Sequence, residues 1–184
     1  MAIPTRQIRA MYDENTIRVY QAFSDSIASS ALENGRFISP PFKMGRMTWI
    51  KPSFLWMMYR SGWGKKDDNQ KRILAIDISR AGFEWALGHS LLSHKAYYYQ
   101  DKEEWLRLKN STPVRIQWDP ERDLNLNPLS HRAIQIGLTN EAVQLYVNKW
   151  IQNIDEVSEL AKEIHSLGVC RIGKTQTILS HIAG

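Results

Sequence analysis

Apolar and polar positions alternate over residues 16–23, TIRVYQAF. Ile17, Val19 and Gln21 fall on one side; Arg18, Tyr20 and Ala22 fall on the other. β-Branched and aromatic residues dominate, so the spacing predicts a strand. The period then changes. Ile27, Ala28, Ala31 and Leu32 recur at helical spacing, with Ser24 as N-cap and Gly35 as the stop. Residues 36–46 form a loop with two prolines and three cations. Met47–Ile50 reads as a short strand. A helix follows over about 52–60, with Pro52 in its first turn and Gly62 at its end. Ile73–Ile78 is a buried strand, and Arg80–Leu92 is an amphipathic helix carrying Phe83, Trp85, Leu87 and Leu91.

The second half reads as a loop with a short helix over 94–109, a strand from Pro113 to Pro120, a polar loop, and a strand at Ala133–Leu138. Two helices close the pattern. The first carries Val143, Tyr146, Val147, Trp150, Ile151 and Ile154; the second starts near Asp155 and stops at Gly168. These elements predict an α+β domain of five to six strands with a helical C-terminus. The expected organisation is one domain over 1–184, with a core at about 5–168 and a tail at 169–184.

Length agrees with one well-buried domain, since 184 residues are short for two. A net charge of +5 permits phosphate-rich ligands without requiring them. The single cysteine, Cys170, excludes an internal disulfide and a cysteine-based zinc site. No apolar run suits a signal peptide or a membrane span. The expectation is a soluble, cytoplasmic protein with no membrane partner.

Candidate chemistry is uneven. Residues 168–175, GVCRIGKT, match the phosphate-loop pattern. A phosphate loop follows a strand and opens a helix, whereas here a helix precedes it and little chain follows, so the match reads as a helix end and basic tail. His89 and His94 are five apart, not a helical metal pair, and no metal is expected. The segment 114–123, VRIQWDPERD, is richer. On a strand, Arg115, Gln117 and Asp119 share a face, and Asp119-Pro120-Glu121 turns out of the sheet, gathering carboxylates at a strand end.

The stretch Met47–Gly64, MTWIKPSFLWMMYRSGWG, holds three of the seven tryptophans. It reads either as core or as the wall of a ligand pocket. Helical spacing assigns Phe54, Trp56, Met57 and Met58 to the core. Arg46, Thr48, Trp49, Lys51 and Ser53, with Tyr59 and Arg60 at the helix end, are the ligand candidates. Cations beside flat rings suit a nucleobase and its phosphates.

Together, RQIRAMYDENTIRVYQAF, PPFKMGRMTWIKPSFLWMMYRSGWG, GFEWAL, VRIQWDPERD and AIQIGL resemble the domain-of-unknown-function family four-two-nine-one, over about residues 5 to 170. At fold level the order of elements also resembles the ADP-ribosyltransferase plan. That resemblance implies a central, mostly antiparallel split sheet flanked by helices, with NAD as substrate. In that plan the first strand carries a His or Arg between a Tyr and a small residue; here Tyr20-Gln21-Ala22 stands there. Thr48 or Tyr59 would be the middle residue. Gln117-x-Asp119 or Asp119-x-Glu121 would be the acidic pair, so Gln117, Asp119 and Glu121 become the catalytic candidates. Arg9, Arg46 or Lys51 would hold the pyrophosphate, and Trp49 or Tyr59 would stack on a base.

Three functions follow as expectations. The first is an ADP-ribosyltransferase-like enzyme that binds NAD and modifies nucleic acid or protein. The second is a non-catalytic module for nucleotides or single-stranded nucleic acid. The third is a partner-binding protein whose Trp-rich stretch is only core.

Overall fold

The computed structural model describes residues 4–94 and 101–170. The tyrosine run 97–99, His181 and the 171–175 part of the phosphate-loop match lie outside them. In chain order the elements are β1 (Thr16–Phe23), α1 (Asp25–Asn34), β2 (Thr48–Ile50), α2 (Phe54–Ser61), β3 (Arg72–Ser79), α3 (Arg80–Gly88) and β4 (Ser90–Leu92). Then follow α4 (Lys102–Ser111), β5 (Val114–Arg122), β6 (Pro128–Leu138), α5 (Glu141–Leu145), β7 (Ile151–Glu156) and α6 (Ser158–Cys170). The fold is α+β and mostly antiparallel, with a helical C-terminus, as the pattern predicts.

The strands form two sheets. One has the order β1-β3-β7 and the other β2-β6-β5-β4. Every pairing is antiparallel except that of β4 with β5. Among the described residues one backbone bridge joins the sheets: the Tyr20 N–H donates to the Lys51 carbonyl at 2.7 Å.

Strand alternation divides the core. Leu74, Ile76 and Ile78 of β3 point into one cluster with Ile17 and Val19 of β1. Ile73 and Ala75 point into the other, with Tyr20. Phe54, Met57 and Met58 of α2, and Ala161 and Ile164 of α6, cover that second face. A strand buried on both faces needs apolar residues at nearly every position, hence the run ILAIDI.

Three differences from the sequence pattern have physical causes. The helix expected to run from Thr139 or Asn140 through Ile154 is broken. α5 gives way to a π turn at Tyr146–Trp150, and the chain then extends as β7, pairing Ile154 with Ile76. β3 has two edges and β1 covers one; backbone pairing on the other outweighs the helical spacing of Trp150 and Ile154. Likewise α3 stops at Gly88, and Ser90–Leu92 pairs with Val114–Ile116. Leu91, four residues past Leu87, suits either period. At α2 the N-cap is Ser53, which accepts from the Trp56 N–H at 3.0 Å, so Pro52 precedes the cap instead of lying in the first turn. With β4 and β7 included, seven strands are described where the pattern predicts five to six.

Glycine 82 tests the packing of α3. A Cβ there would lie 2.4 Å from Cγ of Trp150, inside the buried indole. Gly82→Ala is therefore expected to destabilise by about 1–3 kcal/mol in urea denaturation, despite the better helix propensity of alanine. Gly88→Ala, where a Cβ meets nothing within 4 Å, should be neutral or gain up to about 1 kcal/mol. Equal behaviour of the two variants would show that the Trp150 contact is not as described.

Candidate functional site

β1 and β2 separate beyond the Tyr20–Lys51 bridge, and side chains take over where backbone pairing stops. The Trp49 carbonyl can only accept, so the amide NH2 of Gln21 must face it, at 3.1 Å. The same Nε2 donates to the Thr48 hydroxyl at 2.7 Å. That leaves the Gln21 carbonyl oxygen on the other side, where the Tyr146 hydroxyl donates to it at 2.7 Å. Burial pushes the Tyr146 hydroxyl well above its ordinary pKa, so it remains a donor. Gln21, only 3% exposed, thus ties β1 to β2 and to the π turn.

This opening widens into a cavity of about 790 Å³. Small-molecule sites run to roughly 300–1,000 Å³. The exposed cations Lys43, Arg46 and Arg60 line it, together with Lys51, which is only 5% exposed. Asp67 is the carboxylate among the lining residues. It accepts from the Gln70 side chain and, with a smaller effect, from the Asn69 backbone, bonds that hold it below the usual carboxylate range. Gln21, Gln117 and Gln135 present amides, and Phe23, Met47, Trp49 and Met57 add apolar surface.

Lys51 is the buried cation of the lining. Its Nζ donates to the Trp49 carbonyl at 3.2 Å, with no carboxylate in salt-bridge range among the described residues. Burial first, and then the charge of Arg60, pull its ammonium down to about 7; Asp119 pulls the other way.

Asp119 stands just behind the lining. Gln117 donates to one of its oxygens at 2.9 Å and Gln135 to the other at 2.6 Å. A carboxylate only accepts, so both amide NH2 groups must turn toward it. Their carbonyl oxygens accept no hydrogen bond among the described residues, which leaves two acceptors for a ligand.

Of the thirteen candidates from sequence, the structure brings Gln21, Arg46, Thr48, Trp49, Lys51, Arg60 and Gln117 to this cavity. Asp119 touches it through Gln117 and Gln135. The other five do not line it. Glu121 accepts from the Ser53 hydroxyl at 2.8 Å and from the Arg122 N–H at 2.9 Å, so Glu121 and Ser53 fasten the end of β5 to the start of α2. Tyr20 turns into the second core cluster, 5.4 Å from the Phe54 ring, and burial pushes its hydroxyl up to about 12. Tyr59 is 41% exposed and stacks on Trp56 at 4.9 Å, with the Arg122 guanidinium 3.6 Å from its ring centroid. Arg9 is exposed and donates to Gln7 at 3.1 Å.

Gln135, Lys43 and the Asp67–Gln70 turn are the functional candidates that sequence reasoning misses. Gln135 does carry a signal, being the polar position inside the apolar strand AIQIGL. The turn carries none; it reads as a charged surface loop.

The chain belongs to the family described as Domain of unknown function (DUF4291), whose model matches residues 7–181. No curated protein matches the chain. Among the described residues, no three His, Cys, Asp or Glu side chains group as metal ligands, and no helix is long and apolar enough to cross a membrane.

Lys51 makes a pH prediction. Its pKa is lower folded, at about 7, than the 10.5 of a free lysine. Between those values the unfolded chain binds more protons, so stability rises with pH through that window. Lys51→Met should flatten this rise when urea unfolding is compared at pH 7, 8 and 9. An unchanged slope would mean that Lys51 is not buried as a near-neutral amine.

Proposed function

We propose that the cavity binds a nucleotide by its phosphates, and that the nucleotide is NAD, from which ADP-ribose passes to a nucleic-acid or protein acceptor. The observation that supports this most is the make-up of the cavity lining: three exposed cations, Lys43, Arg46 and Arg60, together with amides fixed by hydrogen bonds. Guanidinium groups pair with phosphate oxygens, and the free carbonyls of Gln117 and Gln135 accept from an amide or exocyclic amine. Trp49 offers a ring for stacking. The activity belongs to this reading through the ADP-ribosyltransferase resemblance, in the cytoplasmic setting expected from the sequence.

In the reaction, the bond between the ribose C1 and the nicotinamide nitrogen breaks, and its electron pair leaves with nicotinamide. Positive charge builds on the ribose. The acceptor then supplies the electron pair of the new bond and loses its proton. A carboxylate near the ribose stabilises that charge. Asp119 takes this role ahead of Glu121, because it stands against the cavity wall while Glu121 is bound to Ser53.

The non-catalytic reading is favoured by one specific observation: both carboxylates already accept hydrogen bonds from the protein. Thermal shift and nicotinamide release separate the two. The transferase reading expects NAD to raise Tm, wild-type protein to release nicotinamide, and Asp119→Asn to lose release by about 100-fold or more while keeping the shift. A shift without release in wild-type protein assigns the cavity to binding alone. Single-strand binding that weakens steeply with salt would add nucleic acid as the ligand. If neither NAD nor ADP-ribose changes Tm, the nucleotide reading fails.

A further inference from the structure

We infer that Lys51 is an imine-forming lysine, and that the cavity takes a phosphorylated aldehyde or ketone whose carbonyl carbon meets its Nζ. The inference rests on reading the cavity as an anion site, but not on NAD being the anion.

The cations of the cavity are not equivalent. Lys43, Arg46 and Arg60 are exposed, whereas Lys51 is buried, with its Nζ on the same Trp49 carbonyl that the Gln21 amide meets. A phosphate keeps part of its hydration at the exposed end and finds three cations there. Whatever reaches Lys51 is the other, less hydrated end of the same ligand. Charge at that depth is costly, so an uncharged polar group fits better than a second anion.

Lys51 is also built differently from a structural lysine. A buried lysine that serves stability has a carboxylate on its Nζ; this one has a backbone carbonyl at 3.2 Å and no ion pair among the described residues. Its backbone is held on both sides, by the Tyr20 bridge and by the Pro52-Ser53 cap of α2. Burial first, and then the charge of Arg60, disfavour the Lys51 ammonium while Asp119 favours it; the balance, a pKa of about 7, leaves about half of the amine neutral at pH 7. Desolvation and an adjacent cation are the two means by which lysines become nucleophiles.

The step balances without a co-reactant. The neutral Nζ attacks the carbonyl carbon and the C–N bond forms. The carbonyl oxygen then leaves as water with the two hydrogens that the amine carried, and a C=N bond remains. The open-chain aldehyde of a ribose phosphate is one group of this class, so the inference would also account for capture of a hydrolysed ADP-ribose. Arginine at 51 retains a cation and cannot form the imine.

The probe is pyridoxal 5′-phosphate, an aldehyde that carries a phosphate, added at substoichiometric concentration and fixed with borohydride. Peptide mapping of the whole chain should find the reduced adduct on Lys51 in at least ten-fold excess over any other lysine. The labelling rate should rise through pH 7 and level off near pH 8, where exposed lysines are still gaining reactivity. Lys51→Arg should lose the adduct while its circular dichroism is unchanged. If that variant fails to fold, the map and pH profile of the wild-type chain decide alone. A label spread over surface lysines, or a rate at position 51 that keeps climbing to pH 10, overturns the inference. Inorganic pyrophosphate supplies an independent arm. Protection of Lys51 by pyrophosphate supports both the imine and the anion site. A Lys51 adduct that pyrophosphate does not slow supports the reactive amine and removes the anion reading. Thermal shift with NAD judges the nucleotide separately.

Discussion

One backbone hydrogen bond, from the Tyr20 N–H to the Lys51 carbonyl, joins the two sheets where they meet, and the Gln21 side chain completes the joint. If the ladder between β1 and β2 had continued, the chain would have one large sheet and no opening in it. Because it stops after one bridge, the backbone groups that follow need other partners. The Trp49 carbonyl finds two, the Gln21 amide and the Lys51 ammonium. The cavity is the space that those substitutions leave. Its polar lining is therefore tied to the fold: a side chain cannot be removed from Gln21 without releasing the joint, because Thr48, Trp49 and Tyr146 all bond to it.

The elements most legible in the sequence are those whose burial follows a single period. β1 and β3 alternate cleanly between two core clusters, and α1 ends at Gly35 with a φ of 63°, where a side chain would be strained. What fails is the boundary at which one period continues into another. Trp150 and Ile154 stand four apart in both readings, and only the open edge of β3 decides that Ile154 belongs to a strand. No local window contains that edge.

The site divides in the same way. The Met47–Gly64 stretch yields its cavity residues because the spacing separates the helix from the strand before it. Thr48, Trp49 and Lys51 before the helix line the cavity, joined from the helix by Met57 and Arg60, while Phe54 and Met58 go to the core. Thr48 and Trp49 are adjacent on β2 and so lie on opposite strand faces, which strand alternation alone would not bring to one cavity. Gln135 and the Asp67–Gln70 turn come from parts of the chain 84 and 16 residues or more from Lys51, and only the sheet order β2-β6-β5 puts Gln135 beside Gln117.

The strand end at 117–121 shows why two carboxylates two residues apart acquire different work. On a regular strand Gln117, Asp119 and Glu121 would share one face. The register of β5 against β6 shifts between Pro120 and Arg122, where proline has no N–H to continue the ladder. Asp119, before the shift, still faces Gln135 across the sheet. Glu121, at the shift, turns toward α2 and meets Ser53 at the helix N-terminus, where a negative charge is favourable. A bulge of this kind exchanges a second cavity acid for a fastened helix. Through Ser53, which caps α2 by accepting from the Trp56 N–H, that helix in turn carries Arg60 to the cavity lining. The acid that leaves the cavity thus acts on it at one remove, by fastening the helix that carries Arg60, whose charge adds to burial in lowering the Lys51 pKa.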